Sequence, residues 1–134
     1  MTKEEILDAV LPVNAKDYTI KFITIAVDKL LDLKVLNDSD IGAIRMLSVN
    51  YEMYVQASNE LIKFGPLIEG KHGDITVNPA NKLVKDYGSQ IFVLLKEFGL
   101  TVKSRDLIGS MNPDVEENNS IKLLLEKQSE RNSL

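Results

Sequence analysis

Apolar side chains recur at intervals of three and four residues in four stretches of this chain, and most stretches are bounded by residues that start or stop helices. Between Thr2 and Leu11, the residues Ile6, Leu7, Val10 and Leu11 share one side, with acids early and Pro12 at the end. This predicts a short amphipathic helix that needs packing to be stable. From Asp17 to Leu36, a stripe of Ile20, Ile23, Val27, Leu30 and Leu31 is flanked by Phe22, Ala26 and Leu33, a face wide enough for more than one neighbour. Asn37-Asp38-Ser39-Asp40 is a turn and capping cluster, and it restarts the chain as a third helix from about Ile41 to Phe64.

That third helix spans about 36 Å at the usual rise per residue. Its first seam runs through Ile41, Ile44, Leu47, Ser48, Tyr51, Tyr54, Val55, Ser58 and Ile62, and is expected to meet the helices before and after it. A second, mixed stripe carries Met46, Val49, Met53, Gln56 and Glu60. Met46, Val49, Met53 and Tyr54 are candidate subunit contacts, because methionine packs adaptably at interfaces and so long a helix reaches beyond the needs of a small domain. The alternative is that both stripes belong to the core of a single chain.

Gly65 to Val77 holds two short β-prone runs around a Gly-bounded turn, which predicts a β-hairpin at about 66–78. Asn78-Pro79 then opens a fourth helix, with Asn as N-cap and Pro at the first helical position. Leu83, Val84, Tyr87, Ile91, Leu94, Leu95 and Phe98 give its apolar face. Gly99 stops it, suited to the left-handed conformation that closes a helix, and Thr101 is placed to cap the turn that follows through Arg105. After Gly109 comes a linker, Ser110-Met111-Asn112-Pro113. Asp114 to Ser129 predicts a tail helix with acids early and Lys122, Lys127 and Arg131 late, its start delayed by Asn118-Asn119-Ser120. The chain thus divides into a short N-terminal helix (1–13), a helical core with hairpin (14–109) and a linker with tail helix (110–134).

The ordered series of long helix, Gly65, hairpin with central Gly73, Asn78-Pro79, second long helix, Phe98-Gly99-Leu100-Thr101 and Ser104-Arg105 resembles the small subunit of bacteriophage terminases, in the family found in many cos-type tailed phages. Asp40, Tyr51 and Tyr54 fall in the expected order, and Val102 stands where members commonly carry proline. The resemblance covers roughly Lys16 to Gly109. It implies a mainly α, ring-forming homo-oligomer, acting in the cytoplasm of the infected or lysogenic host. Its implied role is to bind viral double-stranded DNA and present it to the large terminase subunit, regulating that subunit's ATPase and nuclease. In many cos-type phages it also implies cooperation with an HNH nuclease. No cofactor is implied.

Composition narrows the chemistry. The 134 residues suffice for one domain, and the absence of cysteine removes disulfides, thiolate nucleophiles and sulfur-ligated zinc. No apolar run is long enough to span a bilayer, and Glu4, Glu5 and Asp8 argue against a signal peptide. A formal charge of −4 means that any DNA contact must come from a local basic patch, weak per subunit and multiplied by assembly. The candidates are Lys71 and His72 in the hairpin turn, Lys82 and Lys85 early in the fourth helix, and Lys103 and Arg105 after the glycine. Free N–H groups at that helix's start are expected to assist phosphate binding. Each is alternatively an ordinary solvated cation, and Arg105 has a further alternative in pairing with Glu97 or Asp106.

Catalysis finds little support. His72 lies in a Gly-flanked turn with no rigid nucleophile beside it, so an enzyme built on it is a weak rival. Asp38/Asp40 and Glu116/Glu117 sit where caps and helix starts need them, and no Gly-x-x-x-x-Gly-Lys-Ser/Thr loop is present, so an associated ATPase belongs to another chain. No glycine-turned helix pair with a polar recognition helix is visible. The tail's apolar strip, Ile121, Leu124 and Leu125, is the candidate contact for the large subunit. The competing function is an oligomeric, protein-binding adaptor of the packaging machinery without direct DNA contact.

Overall fold

The computed structural model describes residues 1–101, and the helical expectation holds: four α-helices with a two-stranded antiparallel sheet between the third and fourth. They are α1 (Lys3–Val10), α2 (Asp17–Asp32), α3 (Ile41–Phe64), β1 (Leu67–Glu69), β2 (Ile75–Val77) and α4 (Ala80–Glu97). Met1–Leu95 form one compact unit and Lys96–Leu134 a second, whose described part is the end of α4 and the turn through Thr101. The predicted tail helix, with Ile121, Leu124 and Leu125, lies outside the described residues.

Helix α1 starts where Thr2 accepts the Glu5 amide at 3.2 Å, and ends before Pro12. Its Ile6 and Val10 are buried with Ile23, Ala26, Val27, Leu30 and Leu33 from α2 and its end, and with Ile44 and Leu47 from α3. Arg45 Nη1 donates to the Ala9 carbonyl at 3.4 Å, tying the last turn of α1 to α3. The Lys3–Asp28 pair, 2.8 Å apart, joins α1 to α2 and is the one ion pair among the described residues. Its hydrogen bond to Asp28 raises the Lys3 pKa above the ordinary lysine value, but so exposed a pair adds little stability.

The sequence pattern carries α2 to Leu36, yet the helix stops at Asp32. Lys34 adopts φ +56°, and the Val35 and Lys34 amides return to the Leu30 and Leu31 carbonyls at 3.4 and 3.1 Å. This 6→1 and 5→2 pair is a Schellman closure, with lysine where glycine is usual. The third helix begins as expected: the Asn37 amide donates to Asp40 Oδ2 at 3.0 Å across a single 3₁₀ turn, and α3 follows without a break.

One buried carboxylate joins α2 to α3. Glu52, 7% exposed, accepts the Lys16 backbone amide at 2.7 Å and the Thr19 hydroxyl at 3.2 Å. No side chain caps α2 locally, so this α3 carboxylate takes the place of a cap, where the partial positive charge of the helix start favours an anion. Beside it Tyr51 stacks on Phe22, ring centroids 3.9 Å apart, with Tyr18 edge-on at 6.3 Å. Ser48 Oγ is buried here without a hydrogen-bond partner.

Helix α4 closes as its sequence predicts. Gly99 takes φ +71°, a conformation costly for residues with a Cβ, and its amide returns to the Lys96 carbonyl at 3.1 Å. The predicted apolar face is partly covered: Ile91 is buried, Val84, Tyr87, Leu94, Leu95 and Phe98 are half-buried, and Leu83 is 43% exposed, while Phe92 and Val93, off that face, are 62% and 52% exposed.

Candidate functional site

The hairpin is held at its base by asparagines. Helix α3 ends at Gly65, and the Asn78 side-chain amide donates to the Gly65 carbonyl at 2.9 Å, while the Asn78 backbone amide donates to the Pro66 carbonyl at 2.9 Å. Asn81 Nδ2 donates to the same Pro66 oxygen at 2.9 Å. Asn78 is 7% exposed yet satisfied, because its Oδ1 also accepts the Ala80 amide at 3.0 Å. The predicted N-cap is therefore present and doubles as the clamp between the end of α3 and the start of α4.

This capping changes the expected anion chemistry. Pro79 has no amide hydrogen, Ala80 N–H is taken by Asn78 Oδ1, and Asn81 N–H returns to the Asn78 carbonyl at 3.0 Å. The first two amides of α4 are thus already engaged, which leaves fewer donors for a phosphate than the sequence alone suggests and gives the side chains the larger part in any contact there. Lys82 and Lys85 supply exposed cations three residues apart on one face of α4, and Lys71 and His72 are exposed at the hairpin tip. At that tip the Asp74 carboxylate folds over Gly70, where a Cβ would stand 2.7 Å from Oδ1. Lys103 and Arg105 lie outside the described residues.

The candidate subunit contacts separate into two pairs. Met46 and Val49 are 55% and 36% exposed on α3. Met53 and Tyr54 are half-buried and turned toward α4: Met53 lines a cleft of about 470 Å³ with Ala57, Glu60, Leu83 and Tyr87, and the Tyr54 ring lies against Gly88. Tyr54 of the first seam therefore meets α4 as expected, and part of the second stripe, at Met53, faces α4 within the same chain as well.

Sequence reading passed over Lys63, exposed in the last turn of α3 with Nζ 5.1 Å from the Phe64 ring centroid. A lysine just before a helix-stopping glycine is the signal that marks it. It also passed over the density of exposed apolar residues around the hairpin: Ile62, Phe64, Leu67, Ile75 and Val77 are 81%, 55%, 60%, 75% and 65% exposed. Among the described residues no three His, Cys, Asp or Glu side chains are grouped to hold a metal ion, and no helix is long and apolar enough to cross a membrane.

The chain is thus mainly helical, with a clamped hairpin between α3 and α4 and exposed cations on both the hairpin and α4. The family model described as phage terminase, small subunit, matches residues 22–114, and the chain belongs to that family. It is thereby placed in phage DNA packaging, in a family that is generally non-catalytic. No curated protein and no solved structure matches the chain.

Proposed function

We propose that this chain is a non-enzymatic, ring-forming small subunit that binds viral double-stranded DNA and presents it to the large terminase subunit, regulating that subunit's ATPase and nuclease in the cytoplasm of the infected or lysogenic host. Cooperation with an HNH nuclease belongs to the same reading. The observation that carries it, beside family membership, is the separation of charge along the chain. Residues 1–52 hold nine acids against six bases, whereas residues 53–101 hold five of each. In that balanced stretch Lys71, His72, Lys82 and Lys85 are exposed and joined to no acid by an ion pair. Such a set is weak in one copy, and assembly multiplies it.

The test is retention of double-stranded DNA by the wild-type chain and by Lys82→Glu with Lys85→Glu, across a salt series. The expected result is affinity falling linearly in log salt for the wild type, with at least about a tenfold loss in the double variant, whose fold is checked by circular dichroism. Wild-type retention in the variant removes these lysines from the site. No DNA binding even at low salt favours the protein-binding adaptor, for which the exposed Phe92 and Val93 on α4 already offer a contact surface.

A further inference from the structure

The cleft between α3 and α4 is fastened at both ends by contacts that do not belong to its floor. At one end the side chains of Asn78 and Asn81 hold the start of α4 to the carbonyls of Gly65 and Pro66. At the other the Tyr54 ring lies against Gly88, where a Cβ would stand 3.3 Å from Cε2. The space of about 470 Å³ between them falls within the size range of small-molecule sites. Small side chains leave it open: Ala57 and Ala80, one from each helix, are buried against it.

Its lining divides by chemistry. Met53, Ala57, Ala80 and Leu83 supply apolar surface, while Gln56, Asn59 and Glu60 are exposed along α3 and Tyr87 is half-buried on α4. None of these four polar side chains makes a hydrogen bond or ion pair with another described residue. Glu60 is the one charged residue in the lining, so the cleft favours a cation over a phosphate or a carboxylate. From Met53 to Glu60 it runs about 10 Å along the helix. Because Gly88 meets Tyr54, the neighbouring Tyr87 lies toward Met53, at the end away from Glu60.

We infer that the cleft is a binding site for a linear aliphatic diamine. One ammonium group pairs with Glu60, the methylene chain lies along Ala57 and Leu83, and the second ammonium faces the Tyr87 ring with Gln56 as an acceptor. A bare metal ion matches the lining less well, since one carboxylate beside apolar walls does not make a coordination shell. The site goes beyond the proposed function and requires neither DNA binding nor assembly.

The experiment is a methyl-resolved NMR titration of the full chain with putrescine, accompanied by thermal unfolding. Expected are saturable shifts confined to the methyl groups of Met53, Ala57, Ala80 and Leu83, with a dissociation constant below about 1 mM. At ten times that constant Tm should rise by about 5 °C. Butylamine keeps the chain and one charge, and should bind at least about tenfold more weakly. Glu60→Gln, at an exposed position, should weaken putrescine at least about tenfold, whereas Asp32→Asn, an exposed acid on α2, should leave its affinity unchanged. Equal losses in the two variants would show diffuse counter-ion attraction and overturn the site. Unchanged binding by Glu60→Gln overturns the pairing at that carboxylate, and equal affinity for the two amines overturns the second ammonium contact. No saturable shift at millimolar putrescine overturns the inference as a whole.

Discussion

The two halves of α3 lie on one unbroken helix and meet opposite surroundings. In the first half Ile44 and Leu47 are fully buried, wrapped by α1 and α2, and Glu52 reaches back to hold the start of α2. In the second half Ile62 and Phe64 are mostly exposed, and the neighbouring α4 leaves an open cleft beside Met53 and Ala57. Both halves carry apolar side chains at helical spacing, so the pattern by itself does not distinguish core from contact surface. What separates them is the number of neighbours. The first half carries the stability of the folded chain, and the second presents apolar area that the single chain does not use.

The sharpest way to break this contrast is a matched pair of truncations, measured by urea unfolding at one protein concentration. Leu47→Ala should cost about 3 kcal/mol, from lost burial and the cavity left behind, while Ile62→Ala should change the stability of the dissociated chain by less than about 0.5 kcal/mol. Equal losses would show that the second half is core as well. Glu52→Ala comes next: it strands the Lys16 amide and the Thr19 hydroxyl and should cost about 2 kcal/mol. A cost near zero would mean that water replaces the carboxylate and that α2 needs no cap from α3. The smallest effect has the opposite sign. Ser48→Ala removes a buried hydroxyl without a partner and favours the helix, so it should raise stability by about 1 kcal/mol. Destabilisation would reveal a hydrogen bond made through solvent.

Much of this architecture was legible in the sequence because the chain signals its own boundaries. Pro12, Asn37 to Asp40, Gly65, Asn78-Pro79 and Gly99 each stand at a boundary of a helix or of the hairpin region, and each works through local chemistry that needs no distant partner. The end of α2 escaped for the complementary reason. Leu33, Val35 and Leu36 continue the apolar rhythm, and a lysine in the left-handed region leaves no trace in the residue order. Glu52 reads as an ordinary polar residue between Tyr51 and Met53, because its partners lie 33 and 36 residues earlier. At the candidate site, the exposure of Lys71, His72, Lys82 and Lys85 could be anticipated from their turn and helix-start positions. The competition between Asn78 and a phosphate for the same amides was also implicit in its N-cap role, and becomes plain once both its oxygens are placed.

The uninterrupted length of α3 has a mechanical consequence. The helix contains no proline, and its one glycine, Gly42, sits in the first turn, so the usual sites of kinking are missing from the rod between Tyr51 and the hairpin. Rooted along its first half among α1 and α2, it acts from Tyr51 onward as a lever about 20 Å long, on which a tilt of about 10° carries the far end through roughly 3.5 Å. A load applied near Phe64 is thus felt as torque at the Phe22–Tyr51 stack, and stiffness there limits how far the hairpin can swing.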